Sequence, residues 1–240
     1  PVLDLTTSST NYGIYGAMNE WANVGFFGRV NYDYKGRYLV EGNLRYDGSS
    51  RFRRDKRWIL TPSFSVGWNI AREKFWESLT DYVSTFKIRG SYGALANQNT
   101  KVLYPTYRVL EVKASNANWP LDGSKPNTAA FPSLITTSLT WEKIKTLNVG
   151  FDFASFNGRL TGSFDYFTRK TEDMMGPALE LSATLGTKAP DTNDTDNKTY
   201  DWELQVGWRE QISDFRYGVR LSSSDAQTKV LRYGNPTKSL

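Results

Sequence analysis

The stretch that decides the fold runs from Val24 to Tyr46 and reads VGFFGRVNYDYKGRYLVEGNLRY. Apolar and aromatic side chains recur at every second position on both sides of Lys35-Gly36, and mostly charged or amide side chains stand between them. A period of two is that of a β-strand, whose successive side chains point to opposite faces. Because Lys35-Gly36 supplies a tight turn, the stretch predicts a hairpin with one apolar and one polar face.

The same period returns along the chain and predicts eight strands arranged as four hairpins. Their apolar faces are formed by alternate residues within Val24–Tyr34, Tyr38–Tyr46, Phe64–Ile70, Phe86–Tyr92, Leu147–Phe153, Leu160–Tyr166, Trp202–Trp208 and Phe215–Leu221. A short amphipathic helical turn is expected within Arg72–Val83, between the third and fourth strands. The sequence therefore predicts an all-β, antiparallel protein.

The connections alternate in length. Turns within hairpins are short, at Lys35-Gly36, Asn157-Gly158 and Ser213-Asp214, apart from the one that holds the helical turn. The connections between hairpins are long and polar, at 48–57, 97–140 and 171–198. Loops of that length are unusual inside a compact soluble domain, whereas outer-membrane barrels combine short periplasmic turns with long extracellular loops.

Aromatic residues make up 15% of a chain whose mean hydropathy is only −0.55, and no apolar run is long enough for a transmembrane helix. Tyrosine and tryptophan recur near strand ends, where an aromatic girdle meets the lipid–water boundary. The side chains expected in this girdle are Tyr34, Tyr38, Tyr46, Trp141, Tyr166, Trp202 and Trp208. The pattern favours a transmembrane β-barrel in the bacterial outer membrane, in contact with its lipid.

Composition excludes several classes of function. The chain has no Cys and no His, which removes disulfide frameworks, Cys or His zinc sites, thiol nucleophiles and imidazole bases. The oxygen-rich stretch 191–197 does not fit an EF-hand, because its sixth position is not glycine and Trp202 stands at the twelfth. A net charge of +5 compels no nucleic-acid partner. We expect no enzyme, no cofactor and no metal site.

Several short sequence motifs in these predicted strands and their connections resemble motifs of the SusC/RagA-type TonB-dependent outer-membrane transporters of Bacteroidetes. They occur in the family's order along most of the chain. The motifs are NYDYKGRYL at 31–39, LRYDGSSRF at 44–52, PSFSVGW at 62–68, KIRGSYG at 87–93, LTWEK at 139–143 and TLNVG at 146–150.

Membership would imply a 22-stranded barrel filled by an amino-terminal plug, and a TonB box that contacts the TonB–ExbB–ExbD system. It would also imply a SusD-like surface lipoprotein that closes the top as a lid. On this resemblance, residues 1–240 are about eight consecutive strands from the middle of the barrel, without the plug, the TonB box or the terminal strands. Such a transporter imports nutrients, usually oligosaccharides and less often peptides.

Two other interpretations remain open from the residues alone. A complete eight-stranded outer-membrane barrel could serve as an anchor or adhesin, but its narrow lumen would have to hold many arginines and their carboxylate partners. The partners expected there are Glu41, Asp152, Asp165 and Glu203. A soluble carbohydrate-binding β-domain would show the same alternation.

Two loop regions could contact a ligand. The connection 97–140 contains Tyr104, Tyr107, Arg108 and Trp119, and sugar rings stack their C–H faces on aromatic side chains while polar groups fix orientation. The same rings could instead pack the loop against the barrel rim. The stretch 51–58 interleaves basic and aromatic residues, which suits either anionic lipopolysaccharide phosphates or a solvated loop, and less well nucleic acid.

Overall fold

The structure is a computed structural model that describes residues 18–98, 100, 103–110, 112–113, 119–129, 132, 134–176, 182, 184, 186–187 and 189–234. Ten strands are present in this part of the chain. They are β1 (Asn23–Tyr34), β2 (Tyr38–Ser49), β3 (Trp58–Asn69), β4 (Val83–Asn97), β5 (Val112–Lys113), β6 (Thr128–Ala129), β7 (Glu142–Ser155), β8 (Leu160–Met175), β9 (Asn193–Ile212) and β10 (Phe215–Arg232).

Eight of these strands form one antiparallel sheet in the order β1-β2-β3-β4-β7-β8-β9-β10. Each strand pairs with its neighbour along the chain, apart from the step between β4 and β7, where β5 and β6 form a separate two-stranded sheet. The eight predicted strands and the order of their hairpins are confirmed by this large sheet. The β5–β6 pair lies in the long connection 97–140 and was not predicted.

Two 3₁₀ helices, Ile70–Arg72 and Lys74–Leu79, connect β3 to β4. The second lies within Arg72–Val83 and confirms the short helical segment expected there, whereas the first was not predicted. The predicted polar loop at 171–198 is wrong at both ends, because β8 continues to Met175 and β9 begins at Asn193. Pairs such as Thr171 with Asn197 carry the ladder onward. Where both faces of a hairpin lie in water, a strand needs no apolar face, so the period of two fades although the backbone pairing continues.

One face of the large sheet is a continuous apolar surface. Register places Tyr32, Val40, Val66, Gly90 and Val149 side by side across five strands. Most of the large side chains on this face are exposed, because no other part of the described chain covers them. Water would make such a surface unfavourable, whereas lipid accommodates it. This is the face that the sequence pattern assigns to the membrane.

Aromatic rings gather at both ends of this face. Near the long connections, Trp58 stacks with Tyr46 and Phe26, with ring centroids 4.9 and 6.4 Å away. Near the short turns, Tyr38 stacks between Tyr34 and Trp68 at 6.4 Å from each. The ten residue steps from Trp58 to Trp68 span about 33 Å of strand, or about 25 Å along the membrane normal at a tilt of about 40°. That is the height of the apolar band of an outer-membrane barrel.

Trp141 was expected in this girdle, and that expectation is wrong. Its side chain is buried under the long connections, where its ring lies 4.9 Å from that of Phe52 and its Nε1 donates to the carbonyl of Arg57 at 3.2 Å. Leu139 is buried as well. These residues form a small core at the extracellular base of the loops, which we call the rim core (Phe52, Leu139 and Trp141).

The sheet is open. Within the described residues β1 pairs only with β2, and β10 pairs only with β9. A complete eight-stranded barrel requires these outer strands to pair with each other, so the structure contradicts that alternative. The eight strands instead form part of the wall of a larger barrel.

No helix in the described part of the chain is both long and apolar enough to cross a membrane.

Replacement of Leu204 by Arg tests the assignment of the two faces. Leu204 lies on the apolar face of β9, and the adjacent Gln205 lies on the opposite face beside Ser163 and Ser222. An arginine near the membrane midplane costs about 2–4 kcal/mol, so we expect L204R in the full-length protein to lower the amount of folded barrel strongly. V149R should do the same.

The control is Gln205→Arg, which adds the same side chain one residue away and should leave folding nearly unchanged. The heat-modifiable band of membrane fractions on gels measures the folded fraction. Equal folding of L204R and Q205R would contradict the assignment of Leu204 to lipid, and a larger loss in Q205R would mean that the two faces are assigned the wrong way round.

Replacement of Phe52 by Ala tests the rim core. Loss of a buried phenylalanine ring removes about 3–5 kcal/mol of packing, and here the loss falls on the loops rather than on the strand ladder. We expect F52A to keep a folded barrel but to be cleaved faster by protease within 97–140. Phe75→Ala, which removes an exposed ring, is the control. Identical cleavage of the two variants would contradict a role for Phe52 in holding the loops.

Candidate functional site

The polar face of the sheet carries a three-strand ion-pair cluster at its centre. Arg89 on β4 donates from Nε and Nη2 to the carboxylate of Asp152 on β7 at 3.1 and 3.2 Å. The same guanidinium donates from Nη1 and Nη2 to Asp165 on β8 at 2.7 and 2.6 Å. Its five N–H groups suit this double bidentate contact. We call Arg89, Asp152 and Asp165 the luminal triad.

A glycine makes room for the triad. Gly150 pairs directly with both Arg89 and Asp165 in the two ladders. A Cβ at this position would stand 2.6 Å from Oδ1 of Asp165 and 2.7 Å from the carbonyl oxygen of Phe164. The side chain of Asp165 therefore occupies the space that any other residue at 150 would fill.

A second polar cluster lies on the same face, between β1 and β2. Arg29 Nη2 lies 2.5 Å from Oε2 of Glu41, and Asn43 Nδ2 donates to Oε1 of Glu41 at 2.8 Å. Glu41, Asp152 and Asp165, which were expected to pair with arginines in the lumen of a complete eight-stranded barrel, pair with arginines in this open sheet instead. Glu203 makes no ion pair within the described residues.

The concave surface between these clusters encloses about 560 Å³. Its lining includes Asn31, Glu41, Ser65, Lys87, Arg89 and Asn148. These groups offer charge of both signs, amides and a hydroxyl, which suits hydrated contacts with a polar occupant. No group of three or more His, Cys, Asp or Glu side chains suited to hold a metal ion occurs among the described residues.

Glu73 organises the opposite, periplasmic rim. It lies between the two 3₁₀ helices, accepts a hydrogen bond from Nε1 of Trp68 at 3.2 Å and lies 3.5 Å from Nη1 of Arg37. A hydrogen bond from the Tyr38 hydroxyl, together with the one from Trp68, holds the pKa of the Glu73 carboxyl below its usual range. Glu73 thereby fixes two girdle aromatics to the turn between β3 and β4.

The extracellular rim is built from the DGSSRF stretch, residues 47–52. Ser49 is buried, and Ser50 Oγ accepts a hydrogen bond from the amide of Ala22 at 2.9 Å. The Arg51 guanidinium lies 4.4 Å from the ring of Trp21, and its Nη1 donates to the carbonyl of Gln98 at 3.3 Å. Of the basic stretch 51–58, Arg51 is therefore structural, whereas its neighbours Arg53, Arg54 and Lys56 are exposed.

Asn193 ties the upper ends of three strands together and was missed by sequence reasoning. It exchanges two hydrogen bonds with the backbone of Thr140, at 2.9 and 3.0 Å, and donates to the carbonyl of Asp173 at 2.5 Å. Arg232 on β10 pairs with Asp173 at 3.2 Å and with Asp196 at 2.9 Å. Because the partners of Asn193 lie 53 and 20 residues away, no local pattern reveals them.

The four predicted contact residues are only partly brought together. The rings of Tyr104 and Tyr107 meet edge to face at 6.2 Å. The Tyr104 hydroxyl donates to the carbonyl of Glu20 at 2.5 Å and lies 3.4 Å from Ser50 Oγ, so this ring fastens its loop to the rim. Arg108 and Trp119 are exposed, and within the described residues neither makes an ion pair or ring contact with the tyrosines.

Comparison with known proteins agrees with this geometry. Residues 3–239 match the model of the family described as TonB dependent receptor-like, beta-barrel. The TonB-dependent receptor P3 of Formosa agariphila is 33% identical over 90% of this chain and 21% of that receptor. The TonB-dependent receptor SusC of Bacteroides thetaiotaomicron is 37% identical over 63% of this chain and 15% of that receptor.

Among solved structures, the RagAB peptide transporter superposes with a TM-score of 0.76 at 22% identity, over 88% of this chain and 22% of that one. The FrpB iron transporter of Neisseria meningitidis superposes with a TM-score of 0.55 at 15% identity, over 92% of this chain and 27% of that one. At such identities these likenesses show the fold alone. This chain thus spans about a fifth of the length of the curated relative P3. It belongs to the family of TonB-dependent receptor β-barrels, which reside in the bacterial outer membrane.

Proposed function

We propose that this chain forms part of the wall of a TonB-dependent importer of oligosaccharides. The observation that carries the proposal is the open sheet of eight strands with an apolar, aromatic-belted face on one side and paired charges on the other. The plug, the TonB box and the other strands of a 22-stranded barrel would belong to the rest of the polypeptide. The chain itself would contribute no catalytic group.

The luminal triad and the Arg29–Glu41 cluster suit contact with a plug that must stay hydrated and movable. Paired charges are already neutralised by each other, so a plug surface sliding past them breaks few strong contacts. An apolar luminal wall would instead bury the plug as a core and resist its displacement. Force from the TonB–ExbB–ExbD system on the plug would then open a path for substrate.

A SusD-like surface lipoprotein would close the extracellular rim as a lid. The structurally similar RagAB peptide importer is known in closed-closed and open-open states, which suits a hinged partner over this rim. The rim core offers such a partner a firm base, because Phe52 and Trp141 hold the loops that the lid would contact.

Exposed aromatic rings at the rim favour a sugar substrate. Tyr107 and Trp119 present 60% and 59% of their surface, and aromatic faces of this kind stack on the C–H faces of sugar rings. Import of peptides is the alternative within the same family, since the structurally similar RagAB is a peptide transporter. The Tyr104 hydroxyl already donates a hydrogen bond to the carbonyl of Glu20, so we assign Tyr104 the role of holding the Tyr107 ring in place.

Uptake by cells that carry the full-length receptor tests the proposal. Fluorescent oligosaccharides and oligopeptides of similar size are offered to cells with and without TonB. We expect the oligosaccharide to be internalised only when TonB is present, and surface binding to persist without it, because TonB drives translocation rather than capture. Uptake of the peptides alone would establish the alternative, and uptake independent of TonB would contradict the transport mechanism.

Replacement of Arg89 by Met tests the luminal triad. The change leaves Asp152 and Asp165 facing each other without a counter-charge. Since Arg89 is about one third exposed, we expect a loss of about 1–2 kcal/mol rather than the larger cost of a fully buried pair. The temperature at which the full-length barrel loses its heat-modifiable band should fall by several degrees.

The control is Lys87→Met on the same strand and face, because Lys87 makes no ion pair within the described residues. A further change, Asp165→Asn in the Arg89→Met background, should restore part of the loss by removing the repulsion. Equal effects of R89M and K87M would show that the triad contributes nothing specific.

A further inference from the structure

A cavity of about 590 Å³ opens at the extracellular rim between two loops that are far apart in sequence. Arg53, Arg54 and Asp55 line it from the β2–β3 connection, and Thr106 and Tyr107 line it from the connection between β4 and β5. The two loops are held together beside it, because the Tyr104 hydroxyl lies 3.4 Å from Ser50 Oγ. The cavity is thus fixed at its base and open to solvent.

The charge of this cavity is positive. Arg53 lies 3.7 Å from Asp55, a long and exposed pair in which the carboxylate only partly offsets the guanidinium. Arg54 is exposed and has no hydrogen bond or ion pair with any described residue. Two guanidinium groups against one carboxylate leave an excess of one positive charge, and the N–H donors of Arg54 have no partner among the described residues.

Thr106 supplies an independent indication of a ligand. Its side chain is only 6% exposed, and its buried Oγ1 has no hydrogen-bond partner among the described residues. A buried hydroxyl without a partner is unfavourable, and nearly all such groups in folded proteins are satisfied. An acceptor bound at the cavity wall would give this hydroxyl the partner that the described part of the chain does not provide.

Tyr107 adds a flat apolar wall. Its ring is held edge to face by Tyr104, and its amide donates to the Tyr104 carbonyl at 3.2 Å. Most of the ring is nevertheless exposed. The cavity therefore combines a stacking surface with cationic donors and one unsatisfied hydroxyl.

We propose that this cavity is a subsite for an acidic sugar, which places a carboxylate or a sulfate ester against Arg53 and Arg54 and its ring against Tyr107. Guanidinium groups bind oxyanions through paired N–H donors, and aromatic rings stack on pyranose C–H faces. The inference rests on the proposed import of oligosaccharides and narrows it to anionic ones. An acidic peptide would satisfy the arginines but would leave the stacking surface unused.

Calorimetric binding to the purified full-length receptor in detergent tests the subsite. The probes are tetragalacturonate, a sulfated carrageenan tetrasaccharide, neutral cellotetraose and tetraglutamate. We expect an acidic tetrasaccharide to bind most tightly, and the better of the carboxylated and sulfated probes identifies the anionic group. The double variant R53Q/R54Q should weaken that binding about tenfold, equivalent to about 1.4 kcal/mol, and leave cellotetraose unaffected.

The chain offers matched controls. Lys56→Gln removes one positive charge from the same exposed loop but from outside the cavity, and it should change the affinity less than twofold. Asp55→Asn should act in the opposite direction and tighten acidic-sugar binding severalfold, because it removes the competing carboxylate. Thr106→Val should weaken acidic-sugar binding without loss of folded barrel, since the hydroxyl has no partner among the residues that the structure describes.

The outcomes separate this inference from the function on which it rests. Equal affinity for acidic and neutral tetrasaccharides, or equal effects of R53Q/R54Q and K56Q, would overturn the subsite while leaving oligosaccharide import intact. Arginine-dependent binding of tetraglutamate without binding of any sugar would overturn both. A gain in affinity from D55N beside a loss from R53Q/R54Q cannot arise from general damage to the loop and would support the subsite.

Discussion

The hydrogen-bonding demand of a backbone in lipid is the constraint on which the rest of this structure depends. Hydrocarbon offers no partners for N–H and C=O groups, so every strand in the membrane must pair along its full length on both sides. From β2 to β9 every strand of the large sheet pairs with both of its neighbours. The β3–β4 ladder is the shortest of these, because among the described residues it joins only Ser63–Asn69 of β3 to β4. The outward edges of β1 and β10 meet it only within a larger barrel, because an open edge is not tolerated in lipid.

Pairing of this kind separates the two faces and lets each take its own chemistry. The apolar face needs only apolar side chains and an aromatic belt at each end. The luminal face must place its charged side chains where opposite charges neutralise one another. Arg89 reaches two strands away to Asp165 because Gly150 between them has no side chain. The ladder thus sets positions, and single residues such as this glycine decide which side chains can meet across it.

The period of two revealed the number, order and facing of the strands from sequence, since that signal is local. It failed where both faces lie in water, as at the upper ends of β8 and β9, and where a contact spans the chain. Trp141 was assigned to the girdle, yet its indole donates to a carbonyl 84 residues away. Of the predicted contact residues, Tyr104 and Tyr107 meet because they are one turn apart, whereas Arg108 and Trp119 join no common site. Arg54 belongs to the basic stretch 51–58 that the sequence marked, but Thr106 gave no signal, and only the fold brings the two loops together.

The extracellular rim has a packed base, formed around the rim core, and exposed loop tips above it. Phe52 and Trp141 pack against each other in the base, and the Arg51 guanidinium lies over the ring of Trp21. Side chains engaged in these contacts are not available to bind a ligand. Arg53, Arg54 and Tyr107 line the cavity at the rim, where Arg53 makes only a long pair with Asp55 and most of the Tyr107 ring is exposed. Substitution at the tips therefore changes charge and stacking surface while the strands below keep their register. The surface of such a rim can therefore vary in charge and in aromatic area without any change to the ladder that holds the sheet in the membrane.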